Sequence, residues 1–158
     1  MLSVRPYRLT ELPGIVERGV QTALAQVVGR EAPAAGYEQV AGQLRQMYQN
    51  ALAVPQTTIL VVDWPSPSMP GPAAYALLMP QPNPFTAEPE IVVMDIFTDP
   101  ALRGRGVGRA LLESAAEYAR GSGCHGLVAQ VALHNQSSLA MFTGSGFHGE
   151  RVVVGKRL

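Results

Sequence analysis

The sequence predicts an α/β fold, in the form of an α+β mixed sheet with helices on both faces and the element order βααβββαβαβ. Three observations support this order. Two amphipathic helical patterns follow the first strand pattern, short apolar β-type runs come next, and a glycine-rich turn joins the strongest strand candidate to a helix. Because 158 residues with 47% apolar content can bury a core, residues 1–158 are expected to form a single domain.

The first strand and the first two helices are predicted from residues 3–52. Ser3 to Leu9 combines apolar residues and arginines in a short strand-like run. Thr10 to Pro13 is typical of a helix start, with proline in the first turn, and this helix is expected to reach about Gly29. A second helix is predicted over Tyr37 to Leu52 because its apolar residues fall on one stripe, namely Val40, Leu44, Met47 and Ala51.

Three strands are predicted next, separated by proline-rich loops. Thr57 to Trp64 and Ala73 to Met79 are apolar runs, and Pro65 to Pro72 between them is expected to be a hairpin loop. A second loop, Pro80 to Pro89, leads to Ile91 to Thr98, which is the strongest strand pattern of the chain. Proline soon after that run lacks the amide needed to continue a ladder, so the strand is expected to end there.

The rest of the chain is expected to continue as helix, strand, helix and strand. A helix running through about Arg120 is stopped by glycines, and Leu127 to Leu133 has the pattern of a buried strand. Gln136 to Thr143 favours a short helix. Gly146 and Phe147 then open a final strand that contains three valines, Val152, Val153 and Val154.

Composition argues against several classes of partner. Twelve basic residues balance twelve acidic ones, so no strong positive field attracts nucleic acid or an anionic membrane. The single cysteine, Cys124, cannot form an internal disulfide and has no metal-ligand spacing around it, which indicates a reducing compartment and no metal. There is no signal-peptide core and no apolar run of about 20 residues. A cytoplasmic protein is therefore expected.

The turn Arg103-Gly104-Arg105-Gly106-Val107-Gly108 lies between a predicted strand and a predicted helix. Exposed amides and the positive end of the helix meet at such a place, which suits a pyrophosphate. Glycine allows close approach of the backbone, while Arg103, Arg105 and Arg109 add positive charge. A flexible turn without a ligand is the alternative.

Two other phosphate-binding loops fit this turn poorly. A Walker loop ends in Gly-Lys-Ser/Thr, whereas Gly108 is followed by Arg109 and Ala110. A dinucleotide fingerprint reads Gly-x-Gly-x-x-Gly after the first strand, with an acidic residue about 20 positions later. The glycines here are spaced differently, come late in the chain and have no suitable downstream acid.

Arg103-x-x-Gly106-x-Gly108 resembles the Arg/Gln-x-x-Gly-x-Gly/Ala signature of the GNAT superfamily of acyl-CoA N-acyltransferases. Thr98 to Gly104 is similar to the family's approach to that loop. Asn135, followed eleven residues later by Gly146 and Phe147, is similar to its Asn-to-Gly-Phe spacing. These motifs agree in order and spacing, and the element order of the first half also fits the family.

The resemblance implies a GNAT-like fold and acetyl-CoA as the acyl donor. It implies that the pyrophosphate binds the amides of residues 105–109 and that the pantetheine arm lies beside the fourth strand, where strands four and five splay apart. A backbone amide near that place would stabilise the oxyanion. The cofactor-binding residues expected from the resemblance are Phe97, Thr98, Arg103, Gly104, Arg105, Gly106, Val107, Gly108, Arg109, Asn135 and Phe142.

An amine acceptor must lose a proton before it attacks a thioester, so a base is needed. Asp95 on the fourth strand is the best carboxylate by position, and Glu88 and Glu90 are more distant options. His134 is a second candidate base. Asp95 and His134 both have purely structural alternatives, and Asn135 could cap the following helix while it contacts the cofactor.

The chain departs from the family at two places. The family commonly has a tyrosine seven residues after the asparagine, where it protonates the CoA thiolate, and Phe142 stands there instead. The family also ends with two antiparallel strands, and residues 148–158 allow barely one. We therefore expect a homodimer in which C-terminal segments pair across subunits.

The function predicted from the sequence is an acetyl-CoA-dependent N-acetyltransferase that acts on a primary amine of a small molecule or peptide. The alternatives are a CoA-binding regulatory module with little turnover, which Phe142 favours, and a nucleotide-phosphate binder. The acceptor site is expected near the loop Gly29 to Gly36, where Glu31 and Arg30 give no clear preference for either charge.

Overall fold

The computed structural model describes residues 2–32, 36–64 and 71–158. It contains a five-stranded mixed sheet with helices on both faces, so the predicted fold class is confirmed. The elements in chain order are β1 (Val4–Pro6), α1 (Leu12–Gln26), α2 (Tyr37–Leu52), β2 (Thr58–Val62), β3 (Ala74–Pro82), β4 (Pro89–Thr98), α3 (Val107–Gly121), β5 (Gly126–Ala129) and α4 (Gln136–Gly144). Short 3-10 turns at Leu9–Glu11 and Pro100–Leu102 precede α1 and α3.

The strands lie in the sheet in the order in which they occur in the chain. β1 to β4 pair antiparallel, and β5 pairs with β4 in parallel. A parallel neighbour requires a crossover, and here α3 provides it between β4 and β5. The glycine-rich turn is therefore the first part of that crossover, directly after the end of β4.

Successive side chains of β2 and β3 point to opposite faces of the sheet, and both faces are buried. Leu60 and Val62 belong to the core beneath α3, where Leu111 and Ala115 pack. Ile59 and Val61 point to the opposite face, which α1 and α2 cover with Ile15, Tyr48 and Ala51. Because side chains in a strand alternate between faces, one short apolar run can serve two cores. Both faces of the sheet centre are thus occupied by helices.

β3 is longer than predicted, because it includes residues assigned from the sequence to the loop Pro80 to Pro89. Pro80 pairs with Ile91 and Pro82 with Pro89, so the connecting loop shrinks to residues 83–88. β2 reaches only as far as Leu78, so beyond that point no described strand pairs with this edge of β3. Proline is tolerated at such an edge, where its missing amide costs no ladder bond.

The predicted strand from Leu127 to Leu133 and the predicted final strand both need correction. β5 begins at Gly126 and ends at Ala129, because its partner β4 diverges beyond Val93 and leaves residues 130–133 without a neighbour. Residues 147–158, all of them described, form no strand. The run Val152, Val153 and Val154 is exposed and meets no sheet edge, so the valine pattern alone does not create the sixth strand.

Two predicted loops fall partly outside the described residues. These are residues 65–70 of the hairpin loop Pro65 to Pro72 and residues 33–35 of the loop Gly29 to Gly36. The second predicted helix agrees with α2 at both ends. The first predicted helix is shorter than expected, since α1 ends at Gln26.

Candidate functional site

β4 and β5 pair over four residues and then separate. The pairing ends at Val93 and Ala129, so the remainder of β4, Met94 to Thr98, has no strand beside it on the β5 side among the described residues. An unpaired edge presents backbone donors and acceptors to whatever lies beside it. The gap between the two strands is therefore a place where an extended ligand can form strand-like hydrogen bonds.

An irregularity in β4 lies at the same point. Leu77 pairs with Asp95 and Leu78 pairs with Val93, so Met94 is an extra residue with no partner on β3. A bulge of this kind bends its strand and increases the local twist. The bend occurs where β5 stops pairing, which gives a physical reason for the separation of the two strands.

The glycine-rich turn places a row of unused amides at the start of α3. Gly104 and Gly106 have φ values of +74° and +78°, a conformation that favours glycine. The first helical amide with an i−4 acceptor is that of Ala110, which donates to the carbonyl of Gly106 over 3.0 Å. Among the described residues, no protein acceptor is recorded for the amides of residues 104–109. Such a row, at the positive end of a 15-residue helix, suits an anion.

Gly108 has a different role from that of the two glycines before it. A Cβ atom at this position would lie 2.3 Å from Sδ of Met141 and 3.6 Å from Oγ1 of Thr98. A side chain here would have to displace the side chain of Met141, because α3 and α4 approach closely. The next residue after Met141, Phe142, lines the cleft described below, so α4 connects the turn with the cleft.

The three arginines of the turn are exposed. Arg103 reaches back with Nε to the carbonyl of Thr98 over 3.4 Å, and Arg109 donates through Nη2 to the carbonyl of Gly144 over 2.9 Å. Arg105 makes no recorded hydrogen bond within the described residues. All three leave guanidinium donors available beside the row of amides.

A cleft of about 750 Å³ opens where β4 and β5 separate. Helices α1 and α2 form one wall, and β5 with α4 forms the other. Its volume lies in the range of small-molecule sites. The cleft is lined by four of the site residues predicted from the sequence, namely Asp95, Asn135, Phe142 and Glu31. It is not lined by Phe97, Thr98 or His134.

Asp95 is held by two buried tyrosines. Tyr48 and Tyr75 donate their hydroxyls to Oδ2 of Asp95 over 2.7 Å and 3.1 Å. Helix α1 packs against the same oxygen at Gly19, where a Cβ would lie 2.9 Å from Oδ2 and 2.7 Å from Cδ2 of Leu44. The two tyrosines and Gly19 were not singled out by sequence reasoning, because nothing local to them indicates a partner on β4.

Burial affects the protonation of the Asp95 carboxyl and of the two tyrosines that donate to it. Loss of solvent around Asp95 raises the pKa of its carboxyl, and the two phenol hydrogen bonds oppose that shift. Burial also raises the pKa of Tyr48 and of Tyr75 well above the usual value, and the neighbouring carboxylate adds to it. Both phenols therefore remain donors at neutral pH. A carboxyl with a raised pKa in a cleft is a better proton acceptor than an ordinary aspartate.

Asn135 and His134 connect the β5–α4 loop to the end of α1. The Asn135 side chain accepts from the amide of Ser138 over 3.2 Å, which caps α4, and it donates through Nδ2 to Oε1 of Gln26 over 3.0 Å. The capping alternative for Asn135 is thus realised. His134 is exposed, and its Nε2 lies 3.1 Å from the carbonyl oxygen of Ala25.

Phe142 is almost fully buried, and its ring meets that of Phe147 edge to face at 5.0 Å. Ser138, one turn earlier on the same face of α4, also lines the cleft. Phe97 turns its ring away from the cleft and stacks on Tyr75, with the centroids 5.6 Å apart. The Arg18 guanidinium lies over the Phe97 ring, 5.5 Å from its centroid.

The remaining carboxylates that sequence reasoning considered lie elsewhere. Glu90 is buried at the far end of β4, where it accepts from Gln81 and Asn83. Glu88 lies in the β3–β4 loop beside it and does not line the cleft. In the described ranges, no group of three or more His, Cys, Asp or Glu side chains is arranged to hold a metal ion. No helix there has the length and apolarity needed to span a membrane.

The fold resembles those of solved acetyltransferases. A Pyrococcus furiosus protein described as an acetyl transferase superposes over 100% of both chains with a TM-score of 0.81 and 15% identity. A protein of Agrobacterium tumefaciens, also described as an acetyltransferase, covers 99% of both chains with a TM-score of 0.68 and 25% identity. The first of these likenesses concerns the fold alone.

Sequence comparison gives the same family. An uncharacterized N-acetyltransferase of Methanocaldococcus jannaschii is 36% identical over 63 residues, which is 40% of this chain and only 28% of the archaeal protein. The family model described as "Acetyltransferase (GNAT) family" matches residues 23–147, a stretch that holds the glycine-rich turn, the strand gap and α4. The resemblance seen in the sequence is confirmed, and the chain belongs to the acetyltransferase (GNAT) family.

Proposed function

We propose that this protein is an N-acetyltransferase that moves the acetyl group of acetyl-CoA to a primary amine. The observation that carries the proposal is the gap between β4 and β5, which opens next to a row of unused amides at the start of α3. The gap suits an extended pantetheine arm, and the row of amides suits a diphosphate. Coenzyme A is a ligand that has both parts.

The turn would hold the diphosphate through the amides of residues 104–109. Arg103, Arg105 and Arg109 would add charge from the exposed side, and no metal is required because the amides and guanidinium groups supply the donors. The pantetheine would lie along Met94 to Thr98. Asn135 would contact it through the part of its side chain that does not cap α4, and Phe97 and Thr98 would contribute backbone groups.

Asp95 would act as the base. One proton of the acceptor's ammonium group passes to its carboxylate, and the neutral nitrogen then attacks the thioester carbonyl carbon. The new N–C bond forms as the carbonyl electrons move to oxygen, and a backbone amide on the free edge of β4 stabilises that oxyanion. Collapse breaks the C–S bond, sulfur takes the electron pair, and the second nitrogen proton leaves, giving an amide, CoA thiol and one released proton.

The sulfur leaves next to Phe142, which offers no proton. A thiol with a pKa of about 8.5 departs as thiolate at modest cost, so solvent can protonate it. The raised pKa of Asp95 favours this residue as the base, whereas His134 lies outside the cleft and would act only through water. The same phenylalanine supports a second candidate function, a CoA-binding module without turnover.

Two measurements separate the candidates. Calorimetry with coenzyme A tests the turn, and release of free thiol from acetyl-CoA with a panel of amines tests turnover. The enzyme is expected to do both. Binding without thiol release across the panel would favour the module, and absence of binding at millimolar CoA would remove both candidates.

We also propose that two copies associate through their C-terminal segments. Among the described strands β5 pairs only with β4, which leaves its outer edge open, and Val152, Val153 and Val154 are 66%, 76% and 88% exposed. Exposed β-branched residues and an open strand edge both favour pairing between chains. Light scattering is expected to give a dimer that Val153→Asp dissociates, and a stable monomer at micromolar concentration would refute the idea.

A further inference from the structure

The charged groups that line the cleft are both acidic. They are Asp95 in its interior and Glu31 at its rim, and no lysine, arginine or histidine is among the described lining residues. The residues outside the described ranges, Met1, 33–35 and 65–70, include no charged side chain either. An anionic group in the interior of this cleft therefore meets no basic lining side chain, whereas Arg30 lies beside the rim, where it pairs with Glu31.

The two carboxylates are not equivalent. Glu31 lies 3.3 Å from Nη2 of Arg30 and accepts from the amide of Val28 over 3.1 Å, so its charge is partly balanced at the exposed rim. The donors to Asp95 are neutral, namely the hydroxyls of Tyr48 and Tyr75 and the backbone amide of Ile96. The interior of the cleft thus carries one carboxylate whose pKa is set by burial and by neutral hydrogen-bond donors rather than by a cation.

The remaining lining divides into an uncharged polar rim and an apolar interior. Gln39 and Gln43 lie one turn apart on the exposed side of α2, and Gln130 lies opposite them, beyond the end of β5. The half-buried side chains between them are mostly apolar, namely Val40, Leu44, Met47, Met94 and Ile96. Glutamine offers both a donor and an acceptor, so the rim can bind neutral polar groups without selecting a charge.

We infer, on the basis of the proposed function, that the acceptor is a small amine whose only charge is its ammonium group, carried on an uncharged body. The ammonium points to Asp95, the apolar part packs between α1 and α2, and neutral polar substituents meet the glutamines of the rim. Amines that carry a carboxylate or phosphate close to the nitrogen are excluded, because burying an anion without a partner is costly.

The first test compares three amines of similar size: tyramine, tyrosine amide and tyrosine. Tyramine and tyrosine amide lack the carboxylate, and the amide retains nearly the full volume of tyrosine. Titration of each into the CoA-loaded protein is expected to show binding of the first two at least about tenfold tighter than tyrosine, as one uncompensated charge in a cleft predicts. Tyrosine binding as tightly as its amide would overturn the inference, and so would no binding of any of the three.

A matched pair of variants on α2 tests the origin of the selectivity. Gln43→Arg places a cation at the rim and is expected to improve tyrosine binding about tenfold while it weakens tyramine binding. Gln46→Arg is the control, because Gln46 is exposed on the same helix, donates to Asn50 over 2.8 Å and does not line the cleft. Equal effects of the two variants would contradict an acceptor site at this rim.

The amine-binding measurements test the acceptor class, whereas thiol release tests the acetyltransferase proposal. Selective binding of the two uncharged-body amines without thiol release would leave the acceptor class standing and refute the acetyltransferase proposal. Thiol release with tyrosine at the rate seen with tyrosine amide would support the acetyltransferase proposal and refute the proposed acceptor class. Each result therefore decides one of the two proposals separately.

Discussion

The Tyr48 hydroxyl donates to Oδ2 of Asp95 over 2.7 Å and joins helix α2 to strand β4 beneath the cleft. Tyr75, on the neighbouring strand β3, donates to the same oxygen over 3.1 Å. The carboxylate is thereby held by donors from α2 and β3 at the wall of the cleft. The protonation of Asp95, the candidate base, therefore depends on how α2, β3 and β4 pack together.

Removal of the shorter of these bonds is expected to change both stability and pH dependence. Tyr48→Phe keeps the buried ring but deletes a donor to the charged carboxylate, which costs about 1 to 2 kcal/mol of unfolding free energy. The hydrogen bond from Tyr48 lowers the pKa of Asp95, so its loss raises that pKa further. The acidic limb of the kcat/KM profile should therefore move to higher pH.

Urea unfolding and a pH–rate profile measure the two effects of Tyr48→Phe. Tyr37→Phe is the matched control, since Tyr37 is on the same helix and donates to Glu17 on the surface over 2.7 Å, whereas the phenol donors to Asp95 are Tyr48 and Tyr75. An acidic limb that stays at the wild-type pH in Tyr48→Phe would show that Asp95 is not the titrating base. A shift in both variants would indicate a general effect of losing a phenol.

Asp95→Asn is expected to change how stability depends on pH. Burial raises the folded-state pKa of Asp95 above its unfolded value of about 3.9, so the folded state binds the proton more tightly. This group contributes most to stability below that unfolded pKa, and its contribution is lost as pH rises through the folded pKa. Asparagine keeps an oxygen that accepts from Tyr48 and Tyr75 but does not titrate.

The difference in unfolding free energy, Asp95→Asn minus wild type, should therefore increase as pH rises from about 4 through the folded pKa, and then level off. Urea midpoints across that range measure it, and the other titrating groups cancel because both proteins share them. A difference that is constant or falls with pH would contradict the raised pKa. Acetyl transfer by this variant is expected to fall at least about a hundredfold.

The sequence predicted those parts of the fold and site whose cause lies in neighbouring residues. The stripe from Val40 to Ala51 predicts α2 at both ends, and the glycine spacing predicts the turn before α3, because helical period and positive φ are local properties. Asp95 was found by its place on the strand. Its partners Tyr48 and Tyr75 were not, since they lie 47 and 20 residues away and meet it only after folding.

The errors have the same origin. β5 stops at Ala129 although the apolar pattern continues, because the neighbouring strand bends away at Met94. The run Val152 to Val154 has high strand propensity but meets no partner strand, and β propensity reflects packing against neighbours more than an intrinsic preference. Both cases depend on tertiary partners that a single sequence does not reveal.

Gly108→Ala is expected to destabilise the contact between α3 and α4 by about 1 to 3 kcal/mol, since the new methyl group would lie 2.3 Å from Sδ of Met141. Met141→Ala removes the obstructing side chain, so the double variant should recover part of the loss. Urea unfolding of both single variants and the double variant gives the coupling energy.

Gly121→Ala is the control for that cycle. Its added Cβ meets nothing within 4 Å at the end of α3, so its effect should stay within about 0.5 kcal/mol. If the effects of Gly108→Ala and Met141→Ala simply add, the close approach of the two helices is not what requires glycine at position 108. A strong coupling assigns Gly108 to helix packing, whereas Gly104 and Gly106 keep the turn conformation.

Phe142→Tyr is expected to raise kcat about two- to tenfold, by placing a phenol where the CoA thiolate leaves. The gain stays below that of general acids on poorer leaving groups, because a thiol of pKa about 8.5 already departs without help.

Phe147→Tyr is the matched control, since its ring contacts Phe142 at 5.0 Å but does not line the cleft. Steady-state kinetics measure kcat, and urea unfolding should place the variant within about 1 kcal/mol of wild type, because a hydroxyl in contact with cleft water is not left unsatisfied. A hydroxyl buried against protein would instead lower stability and leave kcat unchanged, and that result would remove Phe142 from the site of thiolate departure.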